Sequence, residues 1–192
     1  MTTFVLATHN AHKVEELRRI LGARLGPHEL VGYDGPEPIE DGDTFAANAL
    51  IKARAAAAHT GLPALADDSG ICVDALGGAP GIHSARYAGT RDDGDNLRLL
   101  LERLRGRADR DAQFVCAAAV VDGEWEHVDL GEWPGTVLEA PAGAGGFGYD
   151  PIFHPFGVPG SSAELTADEK NALSHRARAF GALVTTLRER YG

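Results

Sequence analysis

Short apolar runs alternate with amphipathic helical segments along this chain, and this alternation restricts it to the α/β class of folds. The first run, Phe4–Thr8, predicts a buried strand. Asn10 then predicts the N-cap of a helix whose apolar positions follow helical spacing from Val14 to Leu25. The polar segment between strand and helix therefore falls at the carboxyl end of the strand, where open α/β sheets bind ligands.

The other elements follow from apolar spacing and from turn residues, because the chain contains 24 glycines and 10 prolines. We predict a second short strand over His28–Tyr33 and an Ala-rich helix from Phe45 to about His59, capped by Thr44. The further predicted elements are two short strands, Leu65-Ala66 and Ile71–Val73, joined by a polar turn at Asp67–Gly70, a helix from Asp93 or Asp95, a strand over Phe114–Val121, a turn at Asp122-Gly123 into a strand over Trp125–Leu130, a third strand over Gly135–Glu139, and a last helix from Thr166 or Asp168.

Size and charge narrow the class of protein. The 192 residues and 20.2 kDa favour a single domain over residues 1–192. A net charge of −10 disfavours binding to nucleic acid, which needs a basic face. Cys72 and Cys116 lie in apolar runs without CxxC spacing, so we expect reduced thiols and a cytoplasmic location. No apolar run approaches the length of a membrane span, so no membrane association is expected.

The sequence contains no GxxxxGK[ST] phosphate loop, HExxH motif or GxSxG elbow. Polar clusters at the ends of elements carry the chemistry instead. Thr8, Asn10 and Lys13 lie at a predicted helix N-terminus, where backbone N–H groups and a lysine suit a phosphate, although an ordinary helix cap is the simpler explanation of this segment alone. Glu40 to Thr44 precede the helix on which Asn48 and Lys52 share a face, and dipole-matching caps are again the simpler explanation.

The adjacent carboxylates of Asp67 and Asp68 are a stronger signal, because burying either one is costly without a cation. Carboxylate oxygens suit Mg²⁺, which takes one or two of them together with substrate phosphates. One of the two could also act as a general base on a water molecule. The alternative is a solvated acidic turn between two strands.

Two further clusters lie near the end of the chain. The glycines of Gly145–Pro151 allow close backbone approach to a ligand, and Phe147 could stack on a planar base. Lys170 and Ser174 are four residues apart, so one face of the predicted last helix would present them together, followed by His175 and Arg176. Lysines, carboxylates, an aromatic ring and His/Arg donors together fit a nucleoside triphosphate.

Six motifs then resemble, in order, those of the inosine triphosphate pyrophosphatase family, which acts on non-canonical purine nucleoside triphosphates. The resemblance spans nearly the whole chain, with His9 and His12 where the family often has glycine and His83 where an aromatic residue is common. The motifs are Leu6–Lys13, Thr44–Ala49, Ala66–Gly70, Gly77–Tyr87, Gly146–Pro151 and Lys170–Arg176.

The resemblance implies Mg²⁺-dependent hydrolysis of ITP, dITP and XTP to the monophosphate and pyrophosphate. It implies a homodimer and a two-lobed mixed sheet flanked by helices, with the active site in a cleft between the lobes. Asp68 would be the catalytic base and, with Glu40, a metal ligand. Ser69 would contact substrate. The implied triphosphate contacts are Thr8, His9, Asn10, Ala11, His12, Lys13, Lys52 and Lys170; the base pocket is Phe147, Gly148, Tyr149 and Asp150; and His175 and Arg176 would read the 6-oxo group.

The sequence leaves two alternative functions open. A Maf-like pyrophosphatase of modified pyrimidine triphosphates would have a similar architecture, but the Ser174–Arg176 segment favours a purine 6-oxo reader. A nucleotide sensor without catalysis would be expected to have lost a carboxylate, whereas Glu40, Asp67 and Asp68 are all present.

Overall fold

A six-stranded sheet organises the chain. The structure, a computed structural model, describes residues 1–192 apart from the side chain of Ala23. The strands are β1 (Thr3–Leu6), β2 (Glu29–Gly32), β3 (Ala64–Val73), β4 (Asp111–Asp122), β5 (Trp125–Val137) and β6 (Phe153–Pro155), in the order β2-β1-β3-β4-β5-β6. β1 pairs in parallel with β2 and β3, whereas β5 and β6 are antiparallel, so the predicted α/β class with a mixed sheet is confirmed.

Five α-helices accompany the strands. They are α1 (Ala11–Leu21), α2 (Phe45–Thr60), α3 (Asp93–Arg103), α4 (Ala167–Leu173) and α5 (His175–Tyr191). The predicted caps are confirmed: Asn10 accepts from the Lys13 N–H at the start of α1, and Thr44 accepts from the Ala47 N–H at the start of α2. Gly61 ends α2 in the left-handed conformation that glycine adopts without steric penalty. None of the described helices is long and apolar enough to cross a membrane.

The chain divides into two compact units, and the single-domain boundary stays a prediction. The first unit comprises Met1–Asp68, Cys116–Gly131 and His175–Gly192. Alternating residues of β4 separate its two cores, because successive side chains of a strand point to opposite faces. Cys116, Ala118 and Val120 pack with residues of α1 and α5, whereas Ala117, Ala119 and Val121 pack against α2. The small Ala49, Ala53 and Ala56 side chains of α2 are fully buried in that second core.

The second unit comprises Ser69–Val115 and Glu132–Ser174 and has its own core. Leu97 and Leu100 of α3 pack there with Trp133 of β5 and with Phe153 of β6. The Phe153 ring contacts Phe114 edge-on, with the ring centroids 4.6 Å apart. This aromatic contact joins β4 to β6, the strand that directly follows the Gly-rich segment Gly145–Pro151.

The prediction of two short strands joined by a polar turn at Asp67–Gly70 is wrong, because β3 is one strand of ten residues. Asp67 and Asp68 remain in the strand, buried, because cationic side chains compensate them. Gly70 continues the strand where a side chain would not fit. A Cβ there would lie 2.3 Å from the Gly81 carbonyl oxygen and 2.4 Å from Ser84 Oγ.

Two other predicted boundaries also differ. The strands predicted over Trp125–Leu130 and Gly135–Glu139 form one strand, β5, and the short β6 was not predicted. The single last helix is wrong, because Ser174 is extended (φ −64°, ψ 160°) and separates α4 from α5. Lys170 and Ser174 therefore do not share a face of a continuous helix, and His175 and Arg176 begin a helix of their own.

Candidate functional site

The loop after β1 is built as a helix entrance. The Asn10 N–H donates to Thr8 Oγ1 at 3.2 Å, and Asn10 Oδ1 accepts the Lys13 N–H at 3.1 Å. These bonds leave the first N–H groups of α1 directed toward the loop and place Lys13 in its first turn. The loop is a helix cap, and the same geometry can receive an anion.

Lys13 faces the buried carboxylate of Asp67. Its Nζ atom lies 3.0 Å from Asp67 Oδ2, and Arg176 Nε lies 3.3 Å from the same oxygen. The Arg176 guanidinium is buried at the start of α5 and also pairs with Glu16 of α1. Asp67 Oδ1 is buried and has no hydrogen-bond partner among the described residues. Charge compensation from two cations is what allows a carboxylate within a central strand.

Asp68 has different partners. Its Oδ2 atom accepts from Asn48 Nδ2 at 3.3 Å, and its Oδ1 atom lies 3.4 Å from Lys52 Nζ. Lys52 also lies 3.2 Å from Glu40 Oε2, so one ammonium bridges two carboxylates. Asn48 Oδ1 accepts the Gly42 N–H at 2.9 Å, which fastens the loop that carries Glu40 to α2.

The pKa values of the two neighbouring aspartates are therefore shifted in opposite directions, that of Asp67 downward and that of Asp68 upward. Burial opposes ionisation of Asp67, but Lys13 and Arg176 outweigh it and hold the pKa of that carboxyl well below its ordinary value. Burial raises the pKa of Asp68, and Glu40 and Asp67 add to the effect against the attraction of Lys52 and Lys13. Burial opposes the charge on Lys52, but Asp68, Asp67 and Glu40 together raise the pKa of the ammonium.

The donor set around Lys52 fits a hard divalent cation. Glu40 and Asp68 offer carboxylate oxygens, and Mg²⁺ is usually held by one or two carboxylates plus waters and substrate phosphates. Within the described part of the chain, no three His, Cys, Asp or Glu side chains form a complete cage. A cation at these two carboxylates would therefore need further oxygen ligands from substrate or water.

The Gly-rich segment of the second unit is held by the Asp150 carboxylate. Its Oδ2 atom accepts the Phe147 N–H at 2.8 Å and lies 2.6 Å from Lys170 Nζ. Its Oδ1 atom accepts from Ser162 Oγ at 2.8 Å. Lys170 Nζ also lies 4.9 Å from the centroid of the Phe147 ring. A Cβ at Gly146 would lie 2.2 Å from Asp150 Oδ2, so glycine is required for this turn.

The structure assigns the predicted site residues to two groups, one in each unit. The first unit holds the Thr8–Lys13 loop, Glu40, Lys52, Asp68, His175 and Arg176, and the second holds Ser69, the Phe147–Asp150 segment and Lys170. His9 is exposed and lies 3.5 Å from Glu37, and His12 is also exposed. His175 is buried beside Arg176, and Tyr149 is buried with its hydroxyl donating to the Ser84 carbonyl oxygen at 2.8 Å.

Sequence reasoning missed four residues that hold these groups in place. Glu16 pairs with Arg176 from 160 positions away, which no local pattern could signal. Asn48 was noted only for its spacing from Lys52. Ser162 and Asp93 contact the Gly-rich segment, Asp93 by accepting the Gly148 N–H at 2.8 Å.

Fold and site together define an α/β protein in which carboxylates of the central strand β3 lie beside lysines of α1 and α2, an arrangement suited to a phosphorylated ligand and a divalent cation. Comparison with known proteins agrees. The Ham1 family model matches residues 4–186, and the chain belongs to this family.

The relatives are similar over their whole length. A protein named dITP/XTP pyrophosphatase from Leifsonia xyli subsp. xyli is 56% identical over 98% of this chain and 96% of its own. Another of that name from Streptomyces coelicolor is 56% identical, and the alignment covers all of both chains. Among solved structures, a HAM1 protein from Coxiella burnetii has a TM-score of 0.90 at 41% identity, covering 98% of this chain and all of that one.

Proposed function

We propose that this chain hydrolyses dITP, XTP and ITP to the nucleoside monophosphate and pyrophosphate. The observation that carries the proposal is the contrast between the neighbouring carboxylates of β3. Asp67 is held ionised by the buried Arg176 and the partly buried Lys13, whereas Asp68 has a raised pKa and shares Lys52 with Glu40. A carboxylate kept basic beside phosphate-binding lysines is equipped to activate water.

In the proposed reaction, Asp68 accepts a proton from a water molecule whose oxygen attacks the α-phosphorus. The bond from that phosphorus to the oxygen bridging to the β-phosphate breaks, and pyrophosphate leaves with the electron pair. Lys13 and Lys52 oppose the phosphate charge from positions that their carboxylate partners fix. Mg²⁺ is the cation we propose for Glu40 and Asp68, and it would add positive charge where the phosphates carry negative charge.

The remaining roles divide between the two groups of residues. The Thr8–Lys13 loop and Lys170 are proposed to contact the triphosphate, and Ser69 to contact substrate. Phe147 to Asp150 are proposed to hold the base, with His175 and Arg176 reading its 6-oxo group. Selectivity against adenine follows, because a site of donors matched to an oxo group leaves polar groups unpaired against an amino group.

Assembly and location are proposals from the family resemblance. We propose a homodimer, which size-exclusion chromatography with light scattering would test. We propose a cytoplasmic location, because nucleoside triphosphates are the proposed substrates. The free thiols of Cys72 and the buried Cys116 are compatible with a reducing compartment.

Hydrolysis of ITP in ¹⁸O-labelled water tests the position of attack. We expect the label in inosine monophosphate, detected by mass spectrometry, and none in pyrophosphate. Label in pyrophosphate alone would mean attack at the β-phosphorus and would contradict the proposed role of Asp68. A reaction that releases inorganic phosphate instead of pyrophosphate would contradict the reaction class.

A further inference from the structure

The Gly146–Gly148 turn is held by Asp150 and also by Asp93 at the start of α3. Asp93 is not among the site residues predicted from the sequence. Asp93 is the first residue of α3, and its Oδ2 atom accepts the Gly148 N–H at 2.8 Å. The neighbouring Phe147 N–H donates to Asp150 Oδ2, also at 2.8 Å. Two consecutive backbone N–H groups are therefore held by two different carboxylates.

We propose that Asp93 is a positioning residue for nucleobase recognition, acting by fixing the turn that carries Phe147. This inference rests on the proposed function, because it assumes that Phe147 contacts the base. Asp150 alone would fasten only one side of Phe147. The bond from Gly148 to Asp93 fastens the other side, so the peptide plane between the two residues cannot rotate freely.

Backbone conformation explains why the turn needs an external anchor. Gly146 and Gly148 have φ values of +70° and +61°, and glycine loses more conformational freedom on ordering than any other residue. A glycine on each side of Phe147 leaves the ring on the most adjustable part of the segment. Ordering this segment before substrate arrives removes an entropic penalty from binding.

The position of Asp93 suits it to this task. Asp93 lies in the first turn of α3, where the helix N-terminus favours an acidic side chain. The helix cap itself is supplied by Asp92, whose Oδ1 atom accepts the Asp95 N–H at 2.8 Å. Asp93 is thus free of the capping role, and changing it leaves the cap in place.

The test compares Asp93→Ala with Asp93→Asn and Asp95→Ala. Asp95 lies in the same helical turn, carries the same charge and contacts Arg98 and Thr90 instead of the Gly-rich turn. We expect Asp93→Ala to raise KM for ITP about fivefold with little change in kcat, since the loss is one charge-assisted hydrogen bond made before chemistry. Asp93→Asn keeps an acceptor oxygen and should recover most of the loss, whereas Asp95→Ala should match the unmodified protein. An equal KM in all four proteins, or an equal rise in Asp95→Ala, would overturn the proposal.

Amide hydrogen exchange separates this inference from the proposed function. We expect peptides covering Gly146–Tyr149 to exchange faster in Asp93→Ala than in Asp95→Ala, with or without activity on ITP. Failure of the unmodified protein to hydrolyse ITP would contradict the proposed function only. Unchanged exchange in Asp93→Ala would show that Asp93 does not hold the turn, whatever the substrate is.

Discussion

At the scale of single residues, Asp67 and Asp68 differ more than their adjacency indicates. Both are buried in β3, but their side chains point to opposite faces of the strand. One meets Lys13 and Arg176, and the other meets Lys52, Asn48 and, through Lys52, Glu40. Replacing aspartate by asparagine should therefore affect the stability of the fold differently at the two positions.

Asp68→Asn should lose nearly all turnover of ITP and should not destabilise the protein. The change removes the proposed base at almost constant volume. Because burial and neighbouring carboxylates disfavour the charge on Asp68, a neutral amide should leave Tm at neutral pH equal or higher. An assay of ITP turnover measures the loss of activity, and a thermal melt measures the Tm. Substantial turnover in Asp68→Asn would move the base elsewhere.

Asp67→Asn should destabilise the fold by about 3 kcal/mol, because it leaves the buried Arg176 and the partly buried Lys13 with one ionised partner fewer. Urea unfolding at pH 7 measures the effect, with Asp68→Asn as the matched control. A Tm and unfolding free energy unchanged from the parent protein would show that the Asp67 network contributes no net stability.

The acid dependence of the same pair follows from the pKa of Asp67. Its folded-state pKa lies below the ordinary 3.8, so its stabilising contribution is complete above that pH and is lost as pH falls through the folded-state value. The difference in unfolding free energy between parent and Asp67→Asn should be constant from neutral pH to about pH 5 and shrink below the ordinary carboxyl range. A difference that already shrinks near pH 6 would contradict the assignment.

At the scale of elements, helices and their caps were predictable and the course of the central strands was not. The side chains of Asn10 and Thr44 are typical of N-cap residues and predict helix starts, and the structure confirms both caps. The polar residues of Asp67–Gly70 are typical of a turn when the local sequence is considered alone. The segment is a buried strand because Lys13, Arg176 and Lys52, all distant in sequence, compensate the two carboxylates. Ser174 likewise interrupts a helical pattern that the sequence alone continues. Local signals thus indicated the candidate site residues, whereas long-range ion pairs such as Glu16 with Arg176 leave no local signal in the sequence.

Gly70→Ala should test the continuity of β3. A Cβ at this position would overlap the Gly81 carbonyl oxygen and Ser84 Oγ, so we expect a loss of about 1–3 kcal/mol in unfolding free energy. Gly32→Ala, in β2, is the matched control because no atom lies within 4 Å of its Cβ. Chemical denaturation compares the two. Equal stability of the two variants would contradict the close approach of Gly81 and Ser84 to the strand.

At the scale of the whole molecule, a protein with net charge −10 is proposed to bind a polyanion. The long-range electrostatic interaction between the protein and this ligand is therefore repulsive. Binding must depend on the short-range charges of Lys13, Lys52 and a divalent cation. The proposed activity should therefore depend on Mg²⁺, because without the cation the negative phosphates would face the carboxylates of Glu40 and Asp68.

The measurement that tests the proposed function most directly is pyrophosphate release from ITP, XTP, GTP, ATP and dTTP in parallel, with and without Mg²⁺. We expect Mg²⁺-dependent release of pyrophosphate from ITP and XTP, and far slower release from ATP and dTTP. Equal release from ATP and ITP would contradict the proposed reading of the 6-oxo group. Release from dTTP in preference to ITP would identify a pyrimidine-acting enzyme, and binding of ITP without any release would identify a nucleotide sensor.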